Sequence, residues 1–199
     1  MKKYFPILIV LTVALFALSC SDGDSQTKSN KKIVAENKIG KTMEKNFTLS
    51  FNDGLEKAAK EKKNMIVDFY TDWCHWCKVM DEKTFNNDSI AAKLSERFVT
   101  VRINAESPTE TATFKGKNFT NIELTRAFQV TGFPSLAFIS PELEVITIIP
   151  GYIQADQFTY ILDYIDQECY KKKMSFEEFM KRKGECEEEK KTAPDSTTM

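Results

Sequence analysis

An apolar run, Met65-Ile-Val-Asp-Phe-Tyr70, leads through Thr71-Asp-Trp73 straight into Cys74-His-Trp-Cys77, which opens a stretch of helical spacing. Six residues rich in β-branched and aromatic side chains read as a short buried strand. A chain that turns from such a strand into a helix headed by two cysteines is tightly constrained at that point. The backbone N–H groups of the first helical turn and the helix dipole favour a thiolate over a thiol at the leading cysteine. The second sulfur, one turn on, reaches a mixed disulfide formed on the first. The pair is therefore suited to cycling between dithiol and disulfide.

Three other readings of the pair compete with this one. Covalent haem attachment needs a histidine directly after the second cysteine, and Lys78 stands there. A structural zinc site needs four ligands, usually from two such clusters. Cys169 and Cys186 form no second pair of this spacing, and His75 is the only histidine. A permanent structural bridge is the third reading, and the strand–pair–helix context weighs against it. No metal and no other cofactor is expected.

Hydropathy patterning extends the reading in both directions. Asn52 or Asp53 is expected to cap a helix with Leu55, Ala58 and Ala59 on one face. The helix from Cys74 turns Val79, Met80 and Phe85 inward, and Asp88 is the expected cap of a short helix carrying Ile90, Ala91 and Leu94. Val99–Asn104 reads as the next strand. The polar stretch 105–119 is expected to hold a hairpin around Lys115-Gly116-Lys117, either a variable surface loop or a docking element. Thr120-Asn-Ile-Glu123 has the form of a capping box for a helix reaching Gln129. Ser135–Ile139 and Val145–Ile149 read as an antiparallel hairpin, followed by a closing helix over 156–167 with Phe158, Ile161, Leu162 and Ile165 inward. This order predicts an α/β sandwich with a mixed central sheet.

Four segments resemble the thioredoxin superfamily. Trp73 precedes the first cysteine, and Asp68 stands six residues before it, where that family keeps a buried acid. The strand Val99–Asn104 places Arg102 where many members carry a lysine beside the acid. Val130-Thr-Gly-Phe-Pro134-Ser-Leu-Ala-Phe-Ile139 is similar to the family's cis-proline loop and following strand, and Gly151 matches a glycine after the next strand. The resemblance covers residues 47–168 and implies a thioredoxin-like sandwich.

The resemblance also implies roles. Cys74 would be the exposed nucleophile and Cys77 the more buried resolving cysteine. Asp68 would move a proton to or from Cys77; the alternative is an acid satisfied by Arg102 with no proton work. Pro134 would be cis, opposite the cysteines, with Trp73, Phe133 and Pro134 touching substrate. His75 and Trp76 replace the family's Gly-Pro between the cysteines. A protonated imidazole would favour the thiolate and make the pair more oxidising, and Trp76 would add apolar contact area. The other possibility for both is solvent exposure with little effect on Cys74.

The ends of the chain bear on location. Met1-Lys-Lys3 followed by the apolar stretch Tyr4–Leu18 reads as a signal peptide over 1–19, too short to span a membrane comfortably. Ser19-Cys20 resembles a lipoprotein processing site, with lipidation expected at Cys20. Ala17, where leucine is commoner, leaves plain cleavage or an uncleaved anchor as alternatives. Residues 20–45 read as a polar flexible tether, 46–168 as the thioredoxin-like domain, 169–184 as a helical extension with Phe176, Phe179 and Met180 on one stripe, and 185–199 as a disordered tail. With Cys20 lipidated and Cys74 and Cys77 paired, Cys169 and Cys186 remain, bridged or as separate thiols.

The formal net charge of −1 and the absence of a basic patch with interleaved aromatics give no ground for a nucleic-acid partner. The expected function is that of an exported, membrane-tethered thiol–disulfide oxidoreductase. Reduction of disulfides in cell-envelope proteins is favoured, because the large helical insertion of the family's dedicated oxidants is missing. A membrane thiol electron carrier would re-reduce the pair. The alternatives are a disulfide oxidase or isomerase, and a binding or chaperone module whose pair is idle.

Overall fold

The computed structural model describes residues 46–186. The expected signal peptide, Cys20, the tether and the tail beyond 186 lie outside these residues.

Helix α1 (Phe51–Glu61) packs its Phe51, Leu55 and Ala58 side and precedes strand β1 (Met65–Tyr70). Its cap is Ser50, not Asn52 or Asp53: the Ser50 hydroxyl accepts from the Asp53 N–H at 3.2 Å and donates to the Asp53 carboxylate at 2.6 Å. Both bonds run through the Ser50 hydroxyl, so one side chain caps the helix and holds the Asp53 carboxylate in the first turn. Gly54 lets α1 lie close on the sheet, since a Cβ there would run into Val101 Cγ1. Helix α2 (His75–Met80) begins at the Cys74 cap and widens into one π turn over Asp81–Phe85. Phe85 is buried and Val79 only half-buried. Helix α3 (Asp88–Arg97) is capped by Asn87, whose Oδ1 accepts from the N–H groups of Ser89 and Ile90. Asp88, the expected cap, lies instead in the first turn, where the dipole favours a carboxylate.

Strand β2 (Val99–Asn104) is followed by the hairpin of β3 (Thr111–Phe114) and β4 (Lys117–Thr120). Asn52, freed from capping, clamps that hairpin to α1: its Nδ2 donates to the Thr113 carbonyl at 2.9 Å and its Oδ1 accepts from the Thr113 N–H at 3.0 Å. Helix α4 (Asn121–Ala127) carries the Thr120–Glu123 capping box. It stops short of Gln129, which takes a left-handed φ of 55° while the Val130 N–H closes onto the Thr125 carbonyl. Strands β5 (Ser135–Ile139) and β6 (Val145–Pro150) and helix α5 (Ala155–Asp166) follow.

The four-stranded sheet has the order β2-β1-β5-β6, with β1 parallel to β2 and the other pairs antiparallel. Strand alternation divides the core. Met65, Val67, Phe69, Val99, Val101 and Ile103 face α1, α4 and the hairpin. Ile66, Leu136 and Phe138 face α2, α3 and α5. Parallel register sets Asp68 opposite Arg102. By alternation both lie on the second face, under the helix that carries the cysteines.

Helix α6 (Phe176–Lys181), capped by Ser175, packs onto α5 through a cluster of Cys169, Phe179 and Cys186 with Tyr160, Tyr164, Met174 and Phe176 around it. Met180, expected on the same stripe, is exposed. Cys169 and Cys186 are bridged, and Cys186 is buried, so the chain stays packed through residue 186. Among the described residues no helix is long and apolar enough to cross a membrane.

Candidate active site

Strand β1 ends at Tyr70, the Cys74 N–H bonds to the Thr71 carbonyl at 3.1 Å, and α2 starts at the next residue. This tight connection sets Cys74 as the N-cap. Its sulfur accepts from the Cys77 N–H at 3.0 Å, the interaction that favours negative charge on that sulfur when the pair opens. The two cysteines are joined as a disulfide with Cα atoms 5.3 Å apart. Cys74 is not exposed as expected: it is 4% and Cys77 2% accessible. The neighbouring rings take the exposure instead, Trp73 at 67% and Trp76 at 55%.

Those rings belong to a continuous rim. Trp73 meets Phe133 edge to face at 6.2 Å between centroids. Phe133 precedes Pro134 through a cis peptide bond. The Pro134 carbonyl accepts from the Gly151 N–H at 2.8 Å, where Gly151 takes a left-handed φ of 89°. Tyr152, the next residue, stacks on Trp76 at 5.6 Å, and His75 meets Trp76 edge to face at 5.6 Å between centroids. The structure thus links Trp73, Phe133, Pro134, Trp76 and His75 around the disulfide. His75 is exposed. Two rim members escaped the sequence reading. Tyr152 had only its place after Gly151 to mark it. Glu106, whose carboxylate accepts from the Trp73 indole N–H at 2.8 Å, had no sequence signal at all.

Beneath the pair lies a buried charge cluster. Asp68 is 1% accessible. Arg102 Nε lies 3.0 Å from Asp68 Oδ2, but its N–H is not aligned with that oxygen, and neither carboxylate oxygen of Asp68 has an aligned hydrogen bond. The guanidinium instead directs Nη2 at both oxygens of Asp81, at 3.0 and 3.1 Å, and lies over the Tyr70 ring at 4.2 Å. Asp81 follows Cys77 by four residues, hence on the same helix side. Its N–H bonds to the Cys77 carbonyl. Burial pushes the Asp68 carboxyl up to about 7, against the pull of Arg102 and with a smaller push from Asp81. Burial likewise raises Asp81 above its ordinary range, opposed by Arg102. With its carboxyl raised to about 7, Asp68 is divided between its neutral and ionised forms near neutral pH. Among the described residues no three His, Cys, Asp or Glu side chains group as a metal site.

Comparison with known proteins agrees with this geometry. Residues 51–166, more than half of the chain, match the model of the thioredoxin-like domain. The thiol:disulfide interchange protein DsbD of Vibrio vulnificus is 31% identical over 106 residues, which cover 52% of this chain and 16% of that protein. Spermatogenesis-associated protein 20 of Homo sapiens is 39% identical over 54 residues, covering 27% of this chain and 7% of that protein. The chain spans less than a fifth of the length of these relatives. A thioredoxin-fold protein from Helicobacter pylori superimposes with a TM-score of 0.53 at 20% identity, covering 61% of this chain and 80% of that one, and shows the fold alone.

Proposed function

The chain belongs to the thioredoxin-like domain family, with a mixed four-stranded sheet between helices and a Cys74–Cys77 pair, and on that premise we propose that it reduces disulfides of cell-envelope proteins. It is a thioredoxin-like thiol–disulfide oxidoreductase; the direction, the clients and the location are the proposal. The observation that carries the oxidoreductase reading is the Cys77 N–H held 3.0 Å from Cys74 Sγ, which supports Cys74 as the attacking sulfur.

The Cys74 thiolate attacks one sulfur of a client disulfide, the client S–S bond breaks, and the first client thiolate leaves. Cys77 then gives up its proton, with Asp68 as acceptor, and attacks Cys74 Sγ. The second client thiol is released and the Cys74–Cys77 bridge remains. The client leaves reduced by two electrons and the pair is oxidised by two. A membrane thiol electron carrier restores the dithiol. The insertion after β2 is a short hairpin rather than a helical domain, which supports reduction over oxidation. Lipidation at Cys20 and a tether over 20–45 would hold the domain at the cell envelope.

Equilibration against a glutathione buffer, read by alkylation of Cys74, tests the direction. A potential near that of thioredoxin, about −270 mV, is expected. A value above about −160 mV overturns the reductase reading and favours an oxidase or isomerase. Mass spectrometry of the mature N-terminus tests the tether: a free amino terminus at a residue other than Cys20, in a soluble fraction, refutes it.

A further inference from the structure

Strand β6 is an edge of the sheet, paired only with β5 among the described residues. In an antiparallel ladder every second residue of an edge strand turns its N–H and C=O outward. Beside this edge runs a groove of about 480 Å³. It is lined by Phe128 and Val130, just after α4, by Val145, Ile148 and Pro150 of β6, and by Phe114 of the hairpin. Its polar members, Gln129, Thr131 and Ser135, are neutral, and no lining residue carries a charge. The Lys115–Glu144 ion pair at 2.9 Å links the hairpin tip to the β5–β6 turn.

The far end adjoins the active site. Ser135 and Pro150 are cross-strand partners, one residue from Pro134 and Gly151 respectively, which form the rim around the disulfide. We propose that this groove is a docking site for an extended, uncharged segment of the client protein, added as a strand to β6 with alternate apolar side chains in the groove. The inference rests on the reading of the chain as an oxidoreductase of protein disulfides. It supplies the recognition that two sulfurs alone lack. Six residues of β6 are about 17 Å of strand, matched by a client segment of about six residues. A folded second copy would need on the order of 800 Å² of buried surface per partner, more than one groove of this length offers. A segment leaving the groove at Pro150 arrives beside Phe133 and Trp73, where its own cysteine would meet Cys74.

The test uses the protein over its full length and a fluorescein-labelled, cysteine-free peptide with valine at alternate positions and serine between them. A second peptide carries lysine and glutamate in place of valine. Anisotropy should show the valine peptide binding at least tenfold more tightly than the charged one. Val145→Lys and Thr131→Arg, both at exposed positions, should each weaken it at least tenfold while leaving reduction of glutathione disulfide unchanged. Equal binding of the two peptides, or variants that bind like the parent, overturns the proposal. So does sedimentation showing a dimer that Val145→Lys disperses, because the groove would then hold a second copy. The probe has no cysteine, so failure of the reductase reading, seen as inert Cys74, is distinguishable from failure of docking.

Discussion

The two cysteine bridges invite comparison because their bare geometry is so similar. Cys74–Cys77 and Cys169–Cys186 have Cα separations of 5.3 and 5.6 Å, and all four residues are buried. Their surroundings differ in kind. The first sits at a helix start, with an N–H aimed at one sulfur, a buried acid below and a rim of exposed rings above. The second sits in an aromatic cluster between α5 and α6, with Phe179 and Tyr164 as neighbours. Gln167 braces it, accepting from the Cys186 N–H at 3.2 Å and donating to the Gly184 carbonyl at 3.0 Å. Burial and Cα distance therefore do not separate a reactive pair from a clasp. What differs between them is the N–H aimed at one sulfur, the buried acid with a raised pKa and the exposed rings, all found at the first bridge.

The largest expected effect follows directly. Cys74→Ser should reduce turnover of a model protein disulfide to background, and Cys77→Ser should accumulate mixed disulfides visible on non-reducing gels. Replacing Cys169 and Cys186 with serine should leave turnover within about twofold. Comparable loss of activity from replacing the Cys169–Cys186 pair would break the distinction.

Stability should reverse the ranking. A bridge removes loop-closure entropy from the unfolded chain in proportion to the logarithm of the loop. The Cys169–Cys186 bridge spans 17 residues against 3 for Cys74–Cys77. On that model, losing the long loop costs about 3 kcal/mol and losing the short one about 2 kcal/mol. Urea unfolding of the two double-serine variants measures the difference directly. A redox-pair variant that is the less stable of the two would show that the C-terminal extension is held by its aromatic packing alone.

The legible and illegible parts of the molecule divide along the same line. The Cys74–Cys77 site was readable because its chemistry is local: strand, turn and helix start lie within one short segment. The capping box at Thr120 and the Ser135–Ile149 hairpin were readable for the same reason. Ser50 was overlooked as a cap because Asn52 and Asp53 are equally good capping residues by type, and only the clamp on Thr113 shows that Asn52 is engaged elsewhere. Tyr152 and Asp81 gained meaning only from folding, which brings one against Trp76 and the other against Arg102. The pairing of Cys169 with Cys186 stayed open because two cysteines in a sequence carry no statement of distance.

Asp68 sharpens the contrast through pH. Its carboxyl is raised from 3.8 to about 7 in the fold. The stability this contributes is fully present below the unfolded value and is lost as pH rises through about 7, because the native state must then ionise a buried group. Asp68→Asn should flatten that decline, a gain at pH 8 on the order of 4 kcal/mol at most. The same variant should slow resolution of mixed disulfides by about 10²-fold near pH 7. Exchange at Cys169–Cys186 should show no such dependence on Asp68. A variant with unchanged resolution and a flattened stability curve would assign Asp68 to the fold and leave the proton to water.

The smallest effect tests what the rim is for. Stacked aromatic pairs are worth about 0.5–1.5 kcal/mol beyond their buried area. Trp76 keeps 55% of its surface exposed even while stacked on Tyr152, so the pair presents a broad apolar face beside Cys74. Tyr152→Ala should leave that indole unsupported and raise KM for a protein disulfide by about fivefold, with kcat unchanged. Tyr152→Phe should restore the parental KM, since the stack needs the ring and not the hydroxyl. Glutathione disulfide, too small to span the rim, should be reduced by both variants at the parental rate. A fall in kcat for the small substrate as well would mean that Tyr152 positions the Cys74–Cys77 turn itself, through Gly151 and the Pro134 carbonyl. The rim would then belong with the machinery that makes the first bridge reactive, rather than with the surface that chooses its clients.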